Sequence, residues 1–193
     1  MERSSVKELE SLPVGRLGII AMDSCAETGR KVDRYLAKWR RERNHNEKTS
    51  IAFEGYERDT YLINSAVPRF GSGEAKGIIK ESVRGDDIYI LVDVCNHSLT
   101  YKLSGYTNRM SPDDHFQDLK RIIAAVGGKA RRINVIMPFL YESRQHKRSG
   151  RESLDCANAL QELVRMGVEN IITFDAHDAR VQNAIPLHGF ETV

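Results

Sequence analysis

The segment "INVIMPFLYESRQHKRSGRES", Ile133 to Ser153, decides how this chain must fold. From Ile133 to Leu140 it is apolar apart from Asn134, with no polar residue at every second position. A strand with one wet face alternates, whereas a strand covered on both faces does not, so this run reads as an inner strand of a parallel sheet. Past Leu140 the chain turns abruptly polar: Arg144, Gln145, His146, Lys147, Arg148 and Arg151 crowd one loop. A buried strand ending in concentrated positive charge points to an anion held at its carboxyl end.

Three further runs have the same unalternating character: "LGIIAM" (Leu17–Met22), "DIYILVDV" (Asp87–Val94) and "NIITFDA" (Asn170–Ala176). Helices are expected between them. In "SPDDHFQDLKRIIAAVGG", Ser111 is placed as a cap with Pro112 at the first helical position and acids in the first turn. Phe116, Leu119, Ile122, Ile123 and Val126 then share one face, and Gly127 and Gly128 end the helix. "ESLDCANALQELVRMG" repeats the theme, with Leu154, Ala157, Leu160 and Val164 on a stripe and Gly167 as the stop. An earlier helix, from about Glu27 to Arg43, is expected to turn Val32, Tyr35, Leu36 and Trp39 inward.

Strands alternating with helices imply an α/β fold: three layers, a mostly parallel sheet with helices on both faces and right-handed crossovers. One segment departs from it. "DTYLINSAVPRFGSGEAKGIIKESVRG" (Asp59–Gly85) has two β-like arms around Gly71 and Gly73, which predicts a protruding β-hairpin with an exposed tip. The loop "NHNEKTS" (Asn44–Ser50) is expected to join the first helix only loosely to the rest of the chain.

Composition narrows the function classes. The 193 residues suit one domain of ordinary globular make-up, with 40% hydrophobic and 29% charged residues. A net charge of +2 is too small for a polycation that coats nucleic acid, so positive charge matters locally. Cys25, Cys95 and Cys156 lie far apart without a CxxC spacing, which argues against a zinc site or a disulfide framework and for reduced thiols. No apolar run approaches membrane-spanning length, and the amino terminus has no signal-peptide core, so a soluble cytoplasmic protein is expected.

In open parallel sheets, ligands sit outside the carboxyl ends of strands. Three such ends are polar here: "CNHS" after Val94, "YESRQHKR" after Leu140 and "DAHDAR" after Phe174. Asp175 and His177, two apart, would point to one side of a persisting strand and could help hold Mg²⁺ carried by a polyphosphate. The competing reading makes His177 a cap for the next helix. Arg144 offers a planar fork suited to phosphate and Gln145 an amide suited to a ribose or base edge; equally, they can belong to a solvated basic loop. Phe70 at the hairpin tip can stack on a base or simply anchor its own turn. There is no Walker A loop, dinucleotide fingerprint or nucleophile elbow, which leaves catalysis by positioning and charge neutralisation.

Taken together, "RFGSGEAKGIIKESVRGDDIYIL", "VIMPFLYESRQ" and "NIITFDAHDARVQNAIP" resemble, in order and in register, the amino-terminal half of ribose-phosphate pyrophosphokinases, the phosphoribosyl pyrophosphate synthetases. The likeness runs from about Asn64 to Val193. It implies a phosphoribosyltransferase-like fold and Mg²⁺-dependent transfer of the diphosphoryl group of ATP to O1 of ribose 5-phosphate, giving phosphoribosyl pyrophosphate and AMP. It further implies ATP binding by Arg144, Gln145 and His177, with His177 and Asp175 beside the metal. Phe70 and Glu74 would reach the adenine of a neighbouring subunit's ATP, and Ser82 and Arg84 would belong to a regulatory phosphate or ADP site.

On this resemblance, residues 1–193 form one α/β domain, the nucleotide-binding half of a two-domain synthetase without its ribose-phosphate-binding half. The half alone is expected to lack turnover and to assemble as a homo-oligomer. Ser72, His146 and Lys147 stand where the family usually has Asp, Asp and Arg. These departures keep open a second reading, a non-catalytic regulatory homologue that assembles with active synthetase. A nucleic-acid-binding module built on "RQHKRSGR" is the third and least supported.

Overall fold

The protein is described by a computed structural model over residues 13–43 and 53–193, so the loop Asn44–Ser50 lies outside the described residues. Its centre is an all-parallel five-stranded sheet in the order β1 (Arg16–Ala21), β4 (Asp86–Leu91), β7 (Arg132–Ile136), β8 (Asn170–Thr173) and β9 (Gly189–Thr192). The four unalternating runs are therefore strands, each shorter at its carboxyl end than expected. In β7 the reason is Pro138, which has no N–H to continue the ladder, although its carbonyl still accepts from Phe174 N (3.1 Å) and Asp175 N (3.0 Å). Strand β9 was not expected, because "GFET" is short, half polar and an edge.

Helix α2 (Pro112–Val126) has every feature that its sequence announces. Ser111 and Asp114 form a reciprocal capping box, Pro112 opens the helix and Gly127 closes it at φ +58°. Phe116, Leu119, Ile122, Ile123 and Val126 are all buried against Ile88, Ile90, Val135 and their neighbours. Each such side chain contributes roughly 1.5–3 kcal/mol of transfer free energy. Helix α3 (Asp155–Arg165) packs in the same layer, but its stripe is Cys156, Ala159, Leu160 and Leu163; Ala157 and Val164 only flank it.

Helix α1 (Ala26–Arg43) covers the opposite face and corrects one expectation. Val32 and Leu36 do border the sheet, but Tyr35 is 69% exposed and Trp39 44%. The inward stripe is instead Gly29, Asp33 and Ala37, continuing from Cys25, all at i, i+4 spacing. These small residues let the helix lie close to β1: a Cβ on Gly29 would sit 2.3 Å from that of Ala21. Asp33 is held by Tyr61 N (2.6 Å) and the Thr60 hydroxyl (2.9 Å). Beyond α1 the same face of β4 and β7 forms a groove of about 540 Å³ lined by Leu36, Tyr89, Leu91, Ile136 and Phe174.

After α1 the chain runs along the far edge of β1, where Leu62 bridges Ile19 in parallel, and then crosses the α2 face to β4. The strand order thus reverses at β1. The crossing carries the expected hairpin: β2 (Ser65–Ala66) pairs antiparallel with β3 (Ile78–Ile79), and a bridge from Arg69 to Ala75 extends it to the tip. A second hairpin, β5 (Thr100–Leu103) with β6 (Tyr106–Arg109), lies between β4 and α2 and was not foreseen. Among the described residues, no helix is long and apolar enough to cross a membrane.

Candidate functional site

The sequence-predicted groups fall at two opposite ends of the sheet. At the carboxyl ends of β7 and β8 the ladder is prolonged by an isolated bridge from Phe139 to Asp175, with Leu140 N donating to Asp175 O at 3.2 Å. This junction brings the loop that carries Arg144 beside the loop that carries His177. The rings of His146 and His177 are 5.2 Å apart, centre to centre. Strand β8 has ended before Asp175, so Asp175 and His177 are not aligned by a continuous strand; both are exposed loop residues. Nor does His177 cap the next helix. Asp178 does, accepting from Arg180 N at 2.9 Å at the start of the 3-10 helix Ala179–Ala184.

Local chemistry builds the Arg144 loop. The Tyr141 ring stacks on Phe116 (4.2 Å between centres), and its hydroxyl donates to Asp113 at 2.7 Å, which pins the loop's start to α2. Burial, and then the same carboxylate, push the Tyr141 phenol well above its ordinary range. Glu142 takes a left-handed φ of +55°, the sharp turn that redirects the chain away from β7. Burial first, and Asp155 and Asp113 after it, raise the Glu142 carboxyl. Gln145 closes the far side: its side-chain NH₂ donates to Ser153 O (2.8 Å) and Lys147 O (3.2 Å), and its backbone carbonyl accepts from Cys156 N (3.3 Å) of α3.

What remains is uncompensated charge. Arg144, Lys147, Arg148 and Arg151 are all exposed, and among the described residues none of them pairs with a carboxylate. Other arginines of this chain are neutralised in place, such as Arg132 on Asp87 and Arg16 on Asp86. A loop held rigidly by Tyr141 and Gln145 while its cations stay unpaired is suited to receiving a polyanion. The third strand end adjoins it: burial and Asp93 raise the Cys95 thiol while the Arg144 charge acts against them. Asp93 N and Asn96 Nδ2 both bond Ser24, at 3.0 Å each, which ties the ends of β4 and β1 together.

The hairpin tip is solvent-facing, with Phe70 50% exposed and Lys76 5.9 Å above its ring centre. Ser72 donates to Glu74 at 2.9 Å. Ser82 and Arg84 lie at the other, amino, end of the sheet. There Arg84 lines an open cavity of about 570 Å³ together with Arg16, Glu54, Arg58 and Asp86. Two groups near the Arg144 loop escaped sequence reasoning: Asp178 and Arg180, whose only signal was an Asx start to a short helix. Arg180 hydrogen bonds hold the Asp178 carboxyl far below its ordinary range.

A divalent ion would find few ligands from the protein itself. Among the described residues no three His, Cys, Asp or Glu side chains converge. Asp175 and His177 fit a metal that brings most of its ligands as phosphate oxygens and water, as Mg²⁺ does.

Comparison with known proteins bears on the family and the fold. Residues 17–167 match the family described as the N-terminal domain of ribose phosphate pyrophosphokinase. Ribose-phosphate pyrophosphokinase B of Dictyostelium discoideum is 29% identical over 126 residues, 64% of this chain and 34% of that protein. Ribose-phosphate pyrophosphokinase 1 of Schizosaccharomyces pombe is 32% identical over 119 residues, 61% of this chain and 26% of its own. The chain thus spans about a third or less of these curated relatives. The crystal structure of phosphoribosylpyrophosphate synthetase from Mycobacterium smegmatis has the same fold, with a TM-score of 0.65 at 21% identity over 92% of this chain and 47% of that one.

Proposed function

From the premise that this chain belongs to the ribose-phosphate pyrophosphokinase family, through the N-terminal domain that covers most of its length, we propose that it is the nucleotide-binding half of a Mg²⁺-dependent diphosphotransferase. The full-length protein would move the diphosphoryl group of ATP to O1 of ribose 5-phosphate, leaving AMP. The supporting observation is the unpaired cationic loop Arg144–Arg151 held against His177.

In this reading Arg144 offers two parallel N–H donors to the triphosphate, and Lys147, Arg148 and Arg151 supply the surrounding positive field. As the bond from the β-phosphorus to the α-phosphate oxygen breaks, charge builds on that oxygen, and fixed donors stabilise it without reorganising. Gln145 keeps the loop's shape through its NH₂ group, while its Oε1 faces no described donor and remains available to a ribose or base edge. His177 donates to a phosphate oxygen, and Asp175 lies beside it for the metal. Bound Mg²⁺ would neutralise the β- and γ-phosphate charges.

Phe70 and Glu74 would reach the adenine of a neighbouring subunit's ATP, and Ser82 with Arg84 would take a regulatory phosphate at the opposite sheet end. Ribose 5-phosphate would be held outside this domain, so the isolated chain binds nucleotide without turning it over. Cytoplasmic location and homo-oligomeric assembly belong to the same proposal.

Calorimetric titration of the 193-residue chain with Mg-ATP tests the reading. Arg144→Ala is expected to weaken binding by roughly 1.5–3 kcal/mol, the scale of a charge-assisted hydrogen bond. Equal affinity in a folded Arg144→Ala variant would remove this residue from the site. A folded, oligomeric parent chain that binds no Mg-ATP, yet co-purifies with an active synthetase, would favour the regulatory homologue.

A further inference from the structure

Beyond the bridge from Phe139 to Asp175, the two loops that carry the candidate phosphate-binding groups diverge. Among the described residues no backbone hydrogen bond joins them past Leu140 N to Asp175 O. One side chain does. The His146 side chain is only 9% exposed, although its chain neighbours Lys147 and Arg148 are exposed. Its Nδ1 donates to the Ser143 carbonyl at 3.1 Å, within its own loop. Its Nε2 lies 3.4 Å from the Asp178 carboxylate, on the other loop, an ion pair in the form of the ring that carries a proton on both nitrogens.

Asp178 is itself fixed. It accepts from Arg180 N at 2.9 Å and from Arg180 Nε at 3.0 Å, so it is anchored to the start of the 3-10 helix. The imidazole also packs on the His177 ring at an interplanar angle of 36°. Ser143, His146, Asp178 and Arg180 therefore form a continuous chain of polar contacts across the mouth of the site. Ser143 is buried, with 1% exposure, which gives this chain a rigid end in the core.

We propose that His146 is a positioning residue, a strap that sets the distance between the Arg144–Gln145 loop and His177. The claim rests on the nucleotide reading above for its ligand, but not for its geometry. Binding groups presented from two separate loops act together only when their spacing is fixed, and small misplacements are costly. A histidine that merely filled space would meet neither a carbonyl nor a carboxylate with its two nitrogens. A carboxylate at position 146 could not make the contact with Asp178, since two carboxylates would repel.

The test uses His146→Ala, which loses both contacts, and His146→Asn, whose amide can still donate to Ser143 O but no longer reaches Asp178. Amide hydrogen exchange without nucleotide reads the strap directly. Both variants should speed exchange at residues 175–180 by about tenfold, and only His146→Ala should also speed residues 143–147. Mg-ATP dissociation constants should rise by about three- to tenfold in both, with thermal midpoints close to the parent's. Unchanged exchange in both variants overturns the strap. Faster exchange with unchanged affinity overturns its positioning role. A parent chain without Mg-ATP binding defeats the nucleotide reading instead, while the exchange pattern still decides the strap.

Discussion

Cys95, exposed just beyond β4 and within reach of the Arg144 charge, is a reporter placed beside the candidate site. Cys25 and Cys156 are buried, and burial pushes both thiols from an ordinary 9.0 up to about 11. A thiol reagent at about pH 8 should therefore modify Cys95 alone in the folded protein, and the other two only after denaturant is added. Saturating Mg-ATP should slow that reaction several-fold, by covering the thiol and by adding negative charge against an attacking thiolate. Mass spectrometry of the labelled peptides checks both statements, and labelling indifferent to bound nucleotide would place the ligand elsewhere. The cysteines were legible as reduced thiols from their spacing, but that Cys95 neighbours Arg144 was not, because the two are joined only through the sheet. The role of His146 was invisible for a related reason: its partner, Asp178, sits on a different strand end.

At the scale of elements, legibility followed locality. Helix α2 could be read to the residue because cap, stripe and stop are all encoded within its own segment. Helix α1 could not, because its inward face is chosen by how closely β1 must be approached, and a search for large apolar residues selects the wrong side. The β5–β6 hairpin did leave a signal, Ser104-Gly105 between two alternating arms, and both residues have positive φ. This hairpin braces the Phe70 tip. The Arg69 guanidinium lies 4.4 Å over the Tyr101 ring, donates to Gly73 O at 3.1 Å and reaches Asp118 of α2 at 3.0 Å. Arg69 and Asp118 side chains are only 11% and 7% exposed, and each has a second partner: Asp118 also accepts from Arg121, and Arg69 also lies 3.7 Å from Asp114. Because Asp118 keeps Arg121, Arg69→Ala should cost about 2 kcal/mol in urea unfolding, the scale of a lost charge-assisted hydrogen bond. The Arg69→Ala, Asp118→Asn double variant should cost less than the sum of the two single variants, because the contact they share is lost only once. Additive costs would mean that the pair does not couple. The opposite arm tolerates no side chain at Gly77, where a Cβ would stand 2.3 Å from Arg121 O of α2.

For the molecule as a whole, the parallel sheet was legible because its strands lack alternation, whereas the reversal of strand order at β1 was not. That reversal depends on a single bridge, Leu62 to Ile19, which carries no periodic signature. The same burial that makes the strands readable also shapes stability against pH. Cys25 and Cys156 are held neutral by their surroundings, with folded values of about 11 against an ordinary 9.0, and the Tyr141 phenol is shifted in the same direction. Below the unfolded thiol value both states keep the proton, and the contribution of these groups to stability is complete. As pH rises past it, the unfolded chain ionises first and binds fewer protons than the native state, so stability falls with pH until the folded values are also passed. Chemical denaturation should accordingly show a declining alkaline limb between about pH 9 and 11. Replacing Cys25 and Cys156 by Ala, which removes the titrating thiols, should flatten that limb and leave the smaller slope due to Tyr141. An alkaline limb of unchanged steepness in the double variant would show that the thiols ionise alike in both states, and that their burial is less complete than the packing of β1 and α3 implies.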